Sequence, residues 1–492
     1  MKKYKFYLLL TITILSMAFI LTKKEFQNDT FYTIKVGEQI LKTGIDMKDH
    51  FSWISNLSYT YPHWLYDVII FSIYNLLGFT GIYISTLVLA NTLFFTMYIT
   101  LNNKIKNKTI SYILVVFLGL TLKNFITARA QLISYILFLL ILYFIEKLRE
   151  DGKKRHIIYI FIFSLLIANF HSAVFPFIFA LFLPYLVSDF LFLFLEKINR
   201  NNLKKVSFGK IEIDRPKNLK KIITAFLVSI LSGVFTPNFP VAYTYFIKTK
   251  MGITMSYIAE HLPTTIDKRP EFFIIIGILI ILLLQRRIKI SLNDLFLLGG
   301  LSFLTLMSKR NYALFAILSI FSIGRIINQF FDTKLKKDKL EELLCNEITF
   351  ITLNLLFIIS TILIINSNIS KDYINYSKYP EKASNYILKN LSIENIRIYN
   401  EYNFGSYLLF KNIPVFIDSR ADLYTEEFNR NCTVFKDGVV KKVNNYEEIF
   451  NKYNISHILI YNTNTLNTVL KNDNNYKKIY VDEYFSLYER IL

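Results

Sequence analysis

The chain has 492 residues, 53% of them hydrophobic and 19% charged, with 45 Phe and 33 Tyr. That balance excludes an ordinary soluble enzyme and identifies a polytopic membrane protein. A net charge of +20 would suggest a nucleic-acid partner in a soluble chain. Here the Lys and Arg residues gather between apolar runs, which is the signature of membrane topology, and no nucleic acid is expected.

The opening MKKYKFYLLLTITILSMAFIL joins a basic start to an apolar stretch with no small-residue cleavage pattern after it, so it reads as an uncleaved first span. A long loop, 23–63, follows. Over 30–42 a helical wheel puts Ile34, Val36, Gly37, Ile40 and Leu41 on one side and Lys35, Glu38, Gln39 and Lys42 opposite. The pattern predicts an amphipathic helix lying in the membrane surface. The next run, WLYDVIIFSIYNLLG at 64–78, carries Asp67 and Asn75 and is only 15 residues long, short of the roughly 20 needed to cross a bilayer upright.

Further apolar runs lie near 80–101, 109–122, 131–146, 157–170, 173–195, 222–236, 272–285, 291–307, 312–330 and 348–366. Charge decides how they are threaded. With 64–78 in the interface, the loops facing the cytoplasm (102–108, 146–156, 196–221, 286–289 and 331–347) hold 24 Lys and Arg, and the opposite segments (123–131, 236–271 and 308–311) hold 8. Making 64–78 a span would invert those counts against the positive-inside rule. The expectation is therefore an all-α transmembrane domain over 1–367 with about 11 transmembrane helices. Its first outer loop, at 23–79, carries amphipathic juxtamembrane helices, and its N-terminus is cytoplasmic.

The tail, 368–492, reads as a small extracytoplasmic α/β domain. A helical stretch EKASNYILKN follows Pro380, strand-like runs IRIYN, PVFID, HILIY and KIYVD lie at 396–400, 414–418, 457–461 and 478–482, and YEEIFNKYN between them reads as helix. IDSRADLY, 417–424, sits at a strand end, where α/β domains place sites. The chain has no glycine-rich phosphate loop, no HExxH and no GxSxG, so nucleotide, zinc-protease and serine-hydrolase chemistries lack their markers. Cys345 and Cys432 form no framework.

Taken in order, DTFYTIKVGEQILKTG, DHFSW and HWLYDVIIF before a GFTG turn resemble the first outer loop of the C-type (GT-C) polytopic membrane glycosyltransferases, and within them a bacterial branch. ARAQLISY, 128–135, is similar to a family pattern that has proline where this chain has Ala130. YNEYNFGSYLLF and VFIDSRADLY extend the likeness into the tail. The resemblance implies a GT-C-like fold and transfer of a sugar from a polyprenyl-phosphate donor, on the outer face, to a glycan, lipid or protein acceptor of the cell envelope. It also implies a catalytic aspartate just after the first span, and Asp29 occupies that position.

Such a reaction needs a carboxylate to take the acceptor's proton and cations to hold the departing phosphate. Asp29 serves as that base or as the N-cap of the helix it precedes, roles that do not exclude each other. Asp46 and Asp49 are candidates for a metal or acceptor site and, equally, turn residues beside Gly44. With two residues between them they form no DxD, so the loop is compatible with both metal-free and divalent-metal-assisted transfer. His63 is placed to touch phosphate or acceptor, or with Trp64 to anchor the interface.

Arg129 and Arg310 sit at outer membrane edges, where a guanidinium either grips a lipid phosphate or snorkels to ordinary head groups. Lys309 reads as a similar anchor. His171 interrupts an apolar run and is either a site residue or a hydrogen-bonded structural histidine. Arg420, flanked by Asp418 and Asp422, either touches substrate or closes an internal salt-bridged turn.

The rival readings are a lipid or polysaccharide transporter or flippase, and a noncatalytic envelope scaffold. A path through the membrane calls for charge inside the spans, and the runs above contain almost none. The topology has a direct test. A reporter fused near Lys153 is expected to behave as cytoplasmic, and labelling of that site by an impermeant external reagent would overturn the threading.

Overall fold

The structure is a computed structural model and describes all residues except 1, 56, 200–204, 252–258, 333, 421–422, 425–445 and 492. The chain divides into two compact units. A helical unit comprises Met1–Lys23, Tyr83–Tyr243 and Ile258–Ser370, and a mixed unit comprises Lys24–Ile82, Thr244–Tyr257 and Lys371–Leu492. The first loop and the tail thus belong to one unit although more than 280 residues of chain separate them.

Each of the eleven apolar runs read as a span is helical. Among the described residues, Tyr4–Leu21, Trp64–Ile105, Gln131–Asp151, Ser172–Ile198 and Glu347–Ile369 are each long and apolar enough to cross a bilayer. The helices Lys108–Leu120, Arg155–Phe170, Pro270–Leu284 and Leu292–Met307 are apolar but shorter. These features make the chain a multi-pass membrane protein.

Two runs depart from the simplest reading. The stretch 312–330 is not one straight helix: Lys309–Leu318 and Ile320–Phe330 meet at 52°. Between them the Ser319 hydroxyl donates back to the Phe315 carbonyl at 2.5 Å, a local competition that bends helices. Trp64–Ile105 is broken at Gly78, whose φ of 60° and ψ of −155° lie outside the helical region. Only a residue without Cβ takes that conformation cheaply. The short run 64–78 is thereby set off from the helix that follows it.

The expectation that the spans carry almost no charge fails in the helical unit. Arg325, on Ile320–Phe330, donates to Glu146 of Gln131–Asp151 at 2.9 and 3.0 Å, and to Asp294 of Leu292–Met307 through Nε at 2.9 Å and through Nη2. Lys104, near the end of Trp64–Ile105, adds a 2.9 Å ion pair to Glu146, and the Tyr185 hydroxyl donates to the same carboxylate at 2.9 Å. Two cations and two carboxylates thus clasp four helices, and the Tyr185 hydroxyl adds a fifth. Mutual neutralisation lets these groups sit among apolar helices, and it concealed them in a scan for net charge.

Beside the bundle, β1 (Lys205–Phe208) and β2 (Ile211–Asp214) form a hairpin, and β3 (Ile290–Ser291) pairs with β2 in parallel, Ile211 opposite Ile290.

In the mixed unit the first-loop helix is Asn28–Thr43. Its apolar residues do not all share one exposed face. Thr30 to Ile34, Val36 and Gly37 are buried, whereas Leu41 is 58% exposed. Protein covers its first half: the Phe31 ring packs edge-on against Tyr379 at 4.9 Å and Tyr407 at 5.0 Å. Gly37 lies so close to the helix beginning at Trp64 that an added Cβ would stand 2.1 Å from the Asp67 carbonyl oxygen. Glycine is required there by sterics.

The tail sheet contains β4 (Ile398–Asn400), β5 (His457–Tyr461), β6 (Tyr476–Val481) and β7 (Phe485–Arg490) in the order β4-β5-β7-β6. β4 and β5 run parallel and the other neighbours antiparallel. The helices Glu381–Asn390 and Tyr446–Lys452 occur where the pattern placed them, while Tyr402–Phe410, Thr465–Lys471 and β7 are additional.

The expected strand PVFID, 414–418, is not one. Val415 bridges to Ser52, exchanging backbone bonds with Phe51 and Trp53, and the Asn400 side chain accepts from Phe416 N at 2.8 Å and donates to Ile417 O at 2.7 Å. Side-chain and loop partners satisfy this backbone, so it needs no ladder.

The clasp generates a stability prediction. Arg325→Leu leaves two buried carboxylates short of their partner and is expected to cost about 3 kcal/mol, at the lower end for such pairs because part of the guanidinium reaches solvent. A detergent-solubilised melt measures it, and an unchanged midpoint would show that the clasp contributes nothing.

Candidate functional site

Three connections of the helical unit converge on one cavity of about 260 Å³. Its wall is formed by Asn124, Phe125, Thr127, Arg129 and Gln131 from the first, Glu260 and Arg269 from the second, and Lys309 and Arg310 from the third. These are the three segments, 123–131, 236–271 and 308–311, that the charge pattern placed together opposite the basic loops.

Local structure explains the convergence. Lys309 N–H donates to Leu262 O at 3.1 Å, Thr264 N–H to Leu306 O at 3.0 Å and the Ser308 hydroxyl to Glu260 O at 3.2 Å. The segment 260–264 is thereby stitched along 306–309, which delivers Glu260 and Arg310 to the same wall.

Four cations and one carboxylate line this cavity. Arg129 lies 3.5 Å from Glu260, Arg310 Nη1 lies 3.0 Å from His261 Nε2, and Arg269 is held over the Phe125 ring at 4.7 Å while pairing with Glu271 at 3.2 Å. Stacking on aromatic rings fixes a guanidinium's plane without neutralising it. The excess of positive charge, with the Gln131, Asn124 and Thr127 side chains beside it, is chemistry suited to an anion with several oxygens.

Of the residues singled out in the sequence, Arg129 and Arg310 are brought together here, and Lys309, read only as an anchor, joins them. His171 is not on this wall; it is buried, its Nδ1 2.8 Å from the Ser134 hydroxyl, one helical turn past Ala130. Glu260, His261, Arg269 and Gln131 escaped notice. Their signal lay in which segments shared a side, because none carries a motif of its own.

The remaining candidates lie in the mixed unit. Asp29 is half-buried in the first turn of Asn28–Thr43; the N-cap position is Gln27, so the capping alternative does not hold. The negative charge of Asp29 adds to burial in pushing the Tyr379 hydroxyl above its ordinary range. His63 is half-buried, with its ring 6.3 Å from Tyr32.

Asp46 accepts from Lys48 N–H at 3.1 Å, Tyr61 OH at 3.0 Å and lies 2.7 Å from His50 Nε2. Burial opposes ionisation of Asp46, and these hydrogen bonds outweigh it and hold the carboxyl below its usual range. Asp49 accepts from Phe51 and Ser52 N–H at 3.2 and 3.1 Å, the Asx-turn geometry weighed for both acids.

Arg420 is fully buried. It donates to Asp49 at 2.7 Å and to Asp418 at 2.7, 3.0 and 3.1 Å, with Phe51 and Tyr59 rings packed on it at 5.1 and 5.0 Å. The Tyr424 hydroxyl donates to Asp418 at 2.9 Å; burial, then the neighbouring carboxylate, pushes that phenol well above its ordinary range. This is the salt-bridged turn of the sequence alternatives, and it pins the first loop to the tail. Asp422 lies outside the described residues, as do Cys432 and the segment around it. Among the described residues no cluster of three His, Cys, Asp or Glu side chains is arranged to hold a metal ion.

Arg420→Ala is expected to destabilise the mixed unit by about 3–5 kcal/mol, the cost of stranding buried carboxylates. Arg420→Lys should not restore the loss, since an ammonium lacks the fork. Tryptic cleavage within 44–63 measures the release of the loop, and a wild-type digestion pattern would contradict this role.

No family model matches the sequence, and no curated protein matches it. Solved structures do match. The chain is similar to the archaeal oligosaccharyltransferase AglB from Archaeoglobus fulgidus in complex with an inhibitory peptide and a dolichol-phosphate, at 12% identity and a TM-score of 0.56, covering 94% of this chain and 70% of that one. It is similar to the same organism's oligosaccharyltransferase tethered to an acceptor peptide containing the NVT sequon, at 12% identity and a TM-score of 0.53, with 93% and 69% covered. The apo form gives 11% identity and a TM-score of 0.54, with 94% and 69% covered. These likenesses show that the chain shares its fold with the archaeal oligosaccharyltransferase.

Proposed function

We propose that this chain is a membrane glycosyltransferase that moves a sugar from a polyprenyl-phosphate donor to a cell-envelope acceptor on the outer face of the membrane. The cavity carrying Arg129, Arg269, Lys309 and Arg310 is the observation that carries the reading. In such a transfer negative charge grows on the departing phosphate, and fixed cations lower the barrier by matching it. The fold adds support, since a solved relative with that fold was captured with a dolichol-phosphate.

In this reading the three wall segments face outward, the N-terminus is cytoplasmic and all eleven apolar helices cross or re-enter the bilayer. Asp29, partly accessible at the start of the first-loop helix, takes the proton from the acceptor's nucleophile. The transporter alternative draws on charge inside the bundle, and the charges of the clasp are paired across four helices.

Purified protein supplied with prenyl-phosphate sugars tests the proposal. Asp29→Asn is expected to lower kcat by about 10²–10⁴-fold with little change in KM, as for loss of a general base. Arg310→Ala is expected to raise the donor KM by about 10- to 100-fold, the worth of a charge-assisted contact. Full transfer by Asp29→Asn would refute the base. Absence of transfer from every lipid-linked sugar would favour the scaffold.

A further inference from the structure

Arg310 Nη1 lies 3.0 Å from His261 Nε2. A guanidinium has five N–H donors and no acceptor, so Nε2 must offer its lone pair, which makes the ring the neutral tautomer with its proton on Nδ1. Protonation would put an N–H on Nε2 and a positive charge against the guanidinium, and the contact would be lost. The backbone of His261 cannot retreat to keep it. Glu260 O and Leu262 O on either side are tied to Ser308 Oγ at 3.2 Å and Lys309 N–H at 3.1 Å, and Thr264 is fixed by its N–H to Leu306 O at 3.0 Å and its hydroxyl to Thr305 O at 2.5 Å.

We propose that His261 is a positioning residue. As a neutral imidazole it fixes the Arg310 guanidinium for a prenyl-linked phosphodiester in the cavity, and its protonation releases Arg310 and weakens that binding. The inference rests on the reading of the cavity as the donor-phosphate site. Among the described residues, the charged groups around His261 are Glu260 beside it, Lys309 and Arg310 on the facing turn, and Arg129 and Arg269, the latter paired with Glu271, on the remaining walls. Lysine and arginine keep their charge from about pH 5 to pH 8, which leaves His261 and Glu260 as the groups to separate.

The probe is farnesyl phosphoglucose, a phosphodiester whose single negative charge is constant across that range. Its binding to the full-length protein in detergent is measured by calorimetry from about pH 5 to pH 8, where imidazoles exchange their proton. Wild-type affinity is expected to fall on the order of tenfold toward the acid end, the loss of one charge-assisted contact. His261→Gln, whose amide oxygen accepts without titrating, is expected to stay within about twofold of its pH 8 value throughout. His261→Leu should bind weakly at every pH, and the acid-side fall should persist in Glu260→Gln.

Parallel profiles for wild type and His261→Gln, wild-type affinity in His261→Leu at pH 8, or disappearance of the fall in Glu260→Gln each overturns the assignment to His261. Binding with a flat wild-type profile overturns this inference alone. No binding by the wild type at any pH overturns the donor-phosphate reading of the cavity and the inference with it.

Discussion

A guanidinium withdrawn from water needs carboxylates around it, and that single requirement organises this protein. Arg325 sits between Glu146 and Asp294, and Arg420 between Asp49 and Asp418. In both places every cation is met by carboxylates, and the result is structural: one ties four helices together, the other pins a loop. The cavity differs, with four cations on its wall against Glu260 and the Glu271 that pairs with Arg269. In the proposed function this excess of positive charge is what receives the donor's phosphate.

The placement of the two features in the helical unit follows from one helix. Gln131 lies on the cavity wall and Glu146 in the clasp, fifteen residues apart on Gln131–Asp151. At 1.5 Å per residue they stand roughly 22 Å apart along the axis. Cavity and clasp therefore occupy opposite ends of the bundle. A rigid, neutral lock at one end suits an open, charged site at the other, because a site that holds charge apart needs walls that do not relax.

Much of this was legible in the sequence because apolar periodicity and charge counting respond to burial directly. The eleven runs, the set-off of 64–78 and the grouping of three short segments all follow from those two signals. Arg129 and Arg310 were found because each lies between apolar runs at an outer edge. Glu260, His261 and Arg269 were not, since their meaning comes from backbone stitching between 260–264 and 306–309 that no local pattern announces. The clasp was invisible for a related reason: Lys104, Glu146, Asp294 and Arg325 are far apart in the chain and cancel only when folded. PVFID misled because its residues have every preference of a strand while its backbone partners lie elsewhere.

That last segment has a consequence for how the tail tolerates change. In an ordinary sheet, neighbouring strands recognise one another through repeating main-chain groups, so identity matters little and register is everything. Here the amide of Asn400 stands in for the missing strand, reaching Phe416 and Ile417 and also the Glu401 carbonyl. Gly405 lets Tyr402–Phe410 close in from the other side, where any Cβ would meet the Ile417 oxygen at 2.0 Å. Much of the recognition falls to one carboxamide and one missing methyl, beside the backbone bonds from 51–53. A single exchange at 400 or 405 dislodges the turn that carries Asp418 and Arg420.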